Sequence, residues 1–153
     1  MTFKFEKLNV WQLSIEYIDL IYEIAEQLPR SEMYNLRSQI TRAATSIALN
    51  IAEGSTGQTD AEQARFLGMA IRSLLETVAC QHLISRRNYL PDATLLREAY
   101  LRAEILAVKL QAMRNAIAPQ KGWVREEGVV YEDGGMTMDG GRGTMDEGRW
   151  TKD

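Results

Sequence analysis

The chain has 153 residues, a length that suits one compact domain with a real core but not two full-sized ones. Cys80 is its single cysteine, so an intrachain disulfide is excluded; a secreted, bridge-stabilised scaffold is disfavoured and a reducing, cytoplasmic setting is expected. The formal charge of −3 is unevenly placed: residues 1–118 hold 13 of the 18 basic and 13 of the 21 acidic residues, a neutral body without the basic excess of a dedicated nucleic-acid binder.

The N-terminus, Met1 to Lys7, lacks the apolar centre of a signal peptide, and no uninterrupted apolar run reaches the roughly 18 residues that a membrane helix needs. A soluble protein is expected. From Val10 to Leu28, Trp11, Ile15, Ile18, Tyr22 and Ala25 recur at spacings of three and four with acids between them, which predicts an amphipathic helix with these five on its inner face. Asn9 is its expected N-cap. Pro29 stops it, because the residue before a proline is forced out of the helical region.

The second helix is predicted from Met33 or Tyr34 to Glu53, capped by Ser31, with Leu36, Ile40, Ala43, Ala44, Ile47 and Ile51 facing inward. Its end, Ser46 to Gly54, sets Asn50 and Glu53 three residues apart on one helical face among small and branched apolar neighbours. A buried amide and carboxylate need partners, since leaving them unpaired costs roughly 1–3 kcal/mol each, and more for a charge. Gly54 suits a left-handed C-cap, and the glycine and hydroxyl residues up to Thr59 form a loop.

Thr59 or Asp60 caps a third helix that runs to about Arg86 through Ala64, Leu67, Ala70, Ile71, Leu74, Val78, Cys80, Leu83 and Ile84. After the break at Leu90-Pro91, Asp92 caps a fourth helix that reaches about Ile117 through Leu95, Leu96, Ala99, Leu106, Leu110 and Met113. Four long helices with short connections predict an all-α, antiparallel up-down four-helix bundle over residues 1–118. Residues 119–153 turn to glycine, acid and methionine without a core period, and a disordered or loosely ordered extension is expected there.

Leu28-Pro29, Glu32-Met33-Tyr34-Asn35-Leu36, Gln39-Ile40-Thr41-Arg42-Ala43-Ala44, Ser46-Ile47, Asn50-Ile51-Ala52-Glu53-Gly54, Phe66-Leu67 and Ser73-Leu74-Leu75-Glu76 together resemble the bacterial four-helix-bundle family encoded in intervening sequences of 23S ribosomal RNA genes. The resemblance spans about Phe5 to Ala118. It implies a left-handed antiparallel bundle, assembly into a ring of five subunits and no catalytic activity. A related branch is similar to the accessory proteins of diversity-generating retroelements, which implies binding to nucleic acid and to a reverse transcriptase. This chain departs from that branch in its neutral body and in Ser55-Thr56-Gly57-Gln58, where family members often carry lysine or arginine.

No catalytic constellation, cofactor motif or metal-ligand set stands out. His82 is the single histidine and no glutamate precedes it by three residues, so a carboxylate-histidine di-metal site is not expected. Cys80 has no evident activating neighbour, and the loop from Gly54 to Gly57 lacks the ending of a phosphate loop. The expected use of Asn50, Glu53, Glu76, Arg42 and Arg72 is structural, a polar network joining facing helices. Arg37, Arg65, Arg86 and Arg87 head the candidate phosphate contacts, with RNA or DNA as the partner. Two functional classes follow: a non-enzymatic, homo-oligomeric scaffold or adaptor that contacts a partner protein, and an accessory factor that presents a ring of arginines to nucleic acid.

Overall fold

The computed structural model describes residues 2–57 and 59–118 and the backbone of two short strands further on. Four helices make up the body: α1 (Asn9–Glu26), α2 (Leu36–Gly54), α3 (Asp60–Arg86) and α4 (Thr94–Ile117), with single turns of 3₁₀ helix at Lys4–Lys7 and Arg30–Glu32. Each helix packs on the next, and α4 returns onto α1, which closes a four-helix bundle. Past the body, β1 (Thr144–Asp146) and β2 (Arg149–Thr151) pair antiparallel, with Met145 opposite Trp150. The rest of the expected C-terminal extension, residues 119–143 included, lies outside the described residues.

The core is aliphatic. Ile21, Ile24, Ile40, Ile47, Ile51, Leu67, Leu74, Ile84, Leu106 and Leu110 are all fully buried between the helices. In α2 the buried face is the predicted one, Leu36, Ile40, Ala43, Ala44, Ile47 and Ile51. In α1 it is not: Val10, Ser14, Tyr17, Ile21 and Ile24 are buried, one position ahead of the predicted Trp11, Ile15, Ile18, Tyr22 and Ala25. Of the predicted five only Ala25 is buried, while Ile15 and Tyr22 are exposed.

Hydrogen bonding explains the one-residue rotation. Ser14 Oγ donates to the carbonyl of Trp11 at 2.6 Å, so its hydroxyl enters the core satisfied. The Tyr17 hydroxyl lies 2.7 Å from Thr77 Oγ1 and accepts from Gln81 Nε2 at 2.7 Å, both on α3. Thr77 Oγ1 in turn is 2.6 Å from the Leu74 carbonyl. Tyr17, Thr77 and Gln81 are all fully buried, and burial drives the Tyr17 hydroxyl pKa well above its ordinary value of 10.0. This neutral polar layer inside the aliphatic core fixes α1 against α3.

The helix ends follow local chemistry. Asn9 is the first residue of α1, and the cap position falls on Leu8 without a side-chain acceptor. Ser31 belongs to the 3₁₀ turn, and α2 starts later than expected, at Leu36. The capping is done by Glu32, whose Oε2 accepts from the Leu36 amide at 3.2 Å and from Asn35 Nδ2 at 3.0 Å. Thr59 caps α3 as predicted, accepting from the Glu62 amide at 3.1 Å. Asp92 Oδ1 accepts from the Thr94 amide at 2.9 Å and so caps α4 from one residue outside the cap position. At the other end of α3, Asn88 adopts φ +54°, its amide donates to Ser85 and the Tyr89 amide to Ile84, the pattern of a Schellman stop.

Gly54 does not hold a left-handed cap. It is the last residue of α2 and is buried; the left-handed glycine is Gly57, at φ +63°. A Cβ on Gly54 would stand 2.8 Å from the Cβ of Phe66 on α3, closer than side chains tolerate, so the glycine sets how near the two helices come. Gly54→Ala should therefore destabilise the fold by about 1–3 kcal/mol in urea unfolding, even though alanine is the better helix former by about 1 kcal/mol. Truncating Phe66 to alanine leaves the offending Cβ in place and should not restore stability. The inner layer gives a second test: Tyr17→Phe strands the Gln81 amide without its acceptor and should cost about 1–3 kcal/mol by the same measurement.

Candidate interaction surfaces

The residues expected to form a buried polar network separate into two groups. Asn50 is buried, and its Nδ2 donates to the Ser46 carbonyl at 2.9 Å and to Ser46 Oγ at 3.0 Å, one turn earlier on its own helix. Ser46 Oγ lies 2.9 Å from Ser73 Oγ, so the link to α3 runs through a serine pair rather than through charges. Arg42, Glu53, Arg72 and Glu76 are exposed. The ion pairs among the described residues are Arg65–Glu62 at 4.0 Å, Arg102–Glu16 at 2.9 Å and Arg102–Glu98 at 3.5 Å, so none joins these four. Arg42, Glu53, Arg72 and Glu76 sit on the outward faces of α2 and α3, where water satisfies them and burial asks for no partner.

The candidate phosphate contacts do not share one surface. Arg65 is exposed on the first turns of α3, its guanidinium carbon 4.7 Å from the centre of the Phe66 ring. Arg86 and Arg87 are exposed at the opposite end of α3, and Arg37 is half-buried near the start of α2. Antiparallel packing brings the start of α2 and the end of α3 to the same end of the bundle. Arg37, Arg86 and Arg87 therefore belong to one end and Arg65 to the other.

That first end is tied by a carboxylate. Glu32, in the connection between α1 and α2, receives the Tyr89 hydroxyl at 2.9 Å from the connection between α3 and α4. Together with the Leu36 and Asn35 bonds this holds the Glu32 carboxyl below its ordinary range, with the backbone bond to Leu36 the leading cause. The Asp92 carboxyl is lowered in the same way, first by the Thr94 amide. Burial instead favours the neutral form of a group: it lowers the His82 imidazole to about 4 and raises the Cys80 thiol. His82 is thus uncharged at neutral pH, and Cys80 is a protonated, packed thiol rather than a nucleophile. Among the described residues no three His, Cys, Asp or Glu side chains gather, and no helix is long and apolar enough to cross a membrane.

The feature that sequence reasoning missed is on α4. Leu96, Ala99, Ala103, Leu106 and Leu110 face the core. Diametrically opposite, Leu101, Ile105 and Val108 are 59, 52 and 69% exposed. Spacings of four and three put these three on one stripe, so α4 is apolar on both sides. The signal was present in the sequence: one inward face cannot account for apolar residues at 101, 105 and 108 as well as at 99, 103, 106 and 110.

Against known proteins, the model of the 23S rRNA-intervening sequence protein family matches residues 6–112, well over half of the chain. No curated protein matches it.

The shifted groups give stability a two-step dependence on pH. His82 has a folded pKa of about 4 against an ordinary 6.5, so the unfolded chain takes up its proton first and stability falls as pH drops between those values. Glu32 and Asp92, lowered from ordinary values of 4.5 and 3.8, contribute stability that is present above those values and lost as pH falls through the folded ones. Urea midpoints measured from pH 7 to pH 3 should fall in both windows. His82→Leu should flatten the upper window alone, and Glu32→Gln should shrink the lower one without removing the Asp92 contribution.

Proposed function

Since the chain belongs to the 23S rRNA-intervening sequence protein family, we propose that it is a non-enzymatic, homo-oligomeric helical-bundle scaffold or adaptor in which a neighbouring copy covers the outer stripe of α4. The observation that carries this reading is the exposed run Leu101, Ile105 and Val108. Single exposed apolar residues are ordinary, but a stripe at heptad spacing along a helix whose other side already fills the core is a second packing surface. Glu104 and Lys109 flank the stripe with opposite charges, the arrangement that sets register between packed helices. A ring of five copies is the assembly that the resemblance implies, and a partner protein would then dock on a composite surface.

A second reading rests on a separate observation. Arg42, Arg72, Arg86 and Arg87 are exposed and take part in none of the ion pairs within the described residues. Repeated around a ring, Arg86 and Arg87 would become a band of positive charge suited to RNA or DNA phosphates. The neutral balance of residues 1–118 places this reading second.

One series of measurements separates the two. Light scattering should give a multiple of the chain mass, and Ile105→Glu combined with Val108→Glu should reduce it to a single chain while circular dichroism stays helical, because both side chains lie outside the core. A wild-type chain that is monomeric at micromolar concentration would overturn the proposal. On the same oligomer, titration with structured RNA should show weak binding; tight binding that collapses between low and moderate salt, and that Arg86→Gln with Arg87→Gln removes, would favour the accessory factor instead.

A further inference from the structure

α1, like α4, carries a second apolar face. With Tyr17 turned into the core, Ile15 and Tyr22 are left 38 and 45% exposed on the side of α1 next to α2, and Ile18 is half-buried between them. The Tyr22 hydroxyl lies 3.3 Å from Thr45 Oγ1, which sets the register across the seam. Antiparallel packing then brings Leu49, one turn further along α2, level with Ile18, one turn back on α1. Leu49 is 59% exposed, so Ile15, Ile18, Tyr22 and Leu49 form an apolar patch across the α1–α2 seam. Ile15 and Tyr22 stand seven residues apart, as do Leu101 and Val108, so the patch and the outer stripe of α4 are both about 10 Å long.

Charge points to what covers the patch. α1 holds Glu16, Asp19, Glu23 and Glu26, all exposed, and no lysine or arginine. Glu16 pairs with Arg102, whereas the other three take part in none of the ion pairs among the described residues. Asp19 and Glu26 follow Ile15 and Tyr22 by four residues and so border the outer edge of the patch. On α4 the stripe is bordered by Lys109, four residues after Ile105 and also absent from those ion pairs, and on its other edge by Glu104. Laying the stripe along the patch with Lys109 toward the α1 acids sets Glu104 toward α2, where Arg42 and Glu53 flank Leu49. Within one chain the Arg102–Glu16 pair closes the α1–α4 seam between the two surfaces, so they face different directions and one flat two-fold contact does not cover both. We propose that in the assembly inferred above, on which this reading rests, the α4 stripe of one copy docks head to tail on the α1–α2 patch of the next. Each copy then uses both surfaces, and closure into a ring leaves neither exposed.

Variants of the patch test this contact apart from oligomerisation as such. Ile15→Glu combined with Leu49→Glu should reduce the wild-type oligomer to single chains by light scattering while the helical spectrum is retained, since both side chains lie outside the core. Mixing that variant with Ile105→Glu combined with Val108→Glu supplies one intact stripe and one intact patch, and should give a species of two chains, one of each variant, and nothing larger. Lys109→Glu should raise the concentration needed for half-assembly several-fold, and Asp19→Lys with Glu26→Lys in the same chain should restore it. A folded patch variant that keeps the wild-type mass, or a mixture without the two-chain species, would overturn the head-to-tail contact and leave oligomerisation standing. A monomeric wild type would instead remove the oligomer reading on which the contact rests.

Discussion

The contact between the Tyr17 hydroxyl and the Thr77–Gln81 pair determines how α1 is rotated, and through that rotation what the bundle shows to its surroundings. An aliphatic interface alone is tolerant of rotation by one residue, since α1 carries apolar side chains on two adjoining faces. A phenol, a threonine and a glutamine in the same layer are not tolerant. Each must find its partner or leave a buried polar group unpaired at about 1–3 kcal/mol. The polar layer therefore adds a directional preference to an interface that is otherwise aliphatic. Its cost shows in Gln81 Oε1, which is buried without a hydrogen-bond partner among the described residues.

The same reasoning separates what the sequence made legible from what it did not. Four helices, their order and the inner face of α2 follow from period and stop signals, because in α2 the buried residues other than Asn50 are aliphatic or glycine. The face of α1 was misread because a hydropathy pattern counts Ser14 and Tyr17 as outward, whereas both enter the core with their hydrogen bonds made. The cap of α2 was misplaced for a related reason: Glu32 reaches the Leu36 amide from four residues upstream, and that geometry needs the intervening 3₁₀ turn. Gly54 looked like a helix stop because glycine is common there, but its use here is the absence of a Cβ against Phe66, a fact about another helix. The exposed placement of Arg42, Glu53, Arg72 and Glu76 was equally hidden, since spacing puts residues on one face without saying which way it points.

α4 illustrates how a surface can be inferred once the core is known. Its core face uses alanines at 99 and 103 and leucines at 96, 106 and 110, enough to complete the bundle. Nothing in the stability of the single chain calls for Leu101, Ile105 and Val108 on the opposite side, where polar residues would serve solubility better. Leu101, Ile105 and Val108 are therefore the residues on which the proposed assembly rests. The ion pair between Arg102 and Glu16 marks the seam with α1, so the stripe lies on a face that is already anchored within the bundle.

The two ends and the sides of the molecule thus have different chemistry. The sides of α2 and α3 carry alternating charges that cancel, with arginine and glutamate interleaved at helical spacing, and such a surface favours solubility over strong attraction to either sign. The end that joins α1 to α2 and α3 to α4 differs, because there the acids are already used: Glu32 holds Tyr89 and the start of α2, and Asp92 holds the start of α4. The capping carboxylates keep their negative charge, and Arg87 beside Glu32 and Arg97 beside Asp92 help to hold them ionised. Helix capping, a requirement of the fold, therefore also sets the electrostatics of that end, since each carboxylate that closes a helix start stands in the field of an arginine.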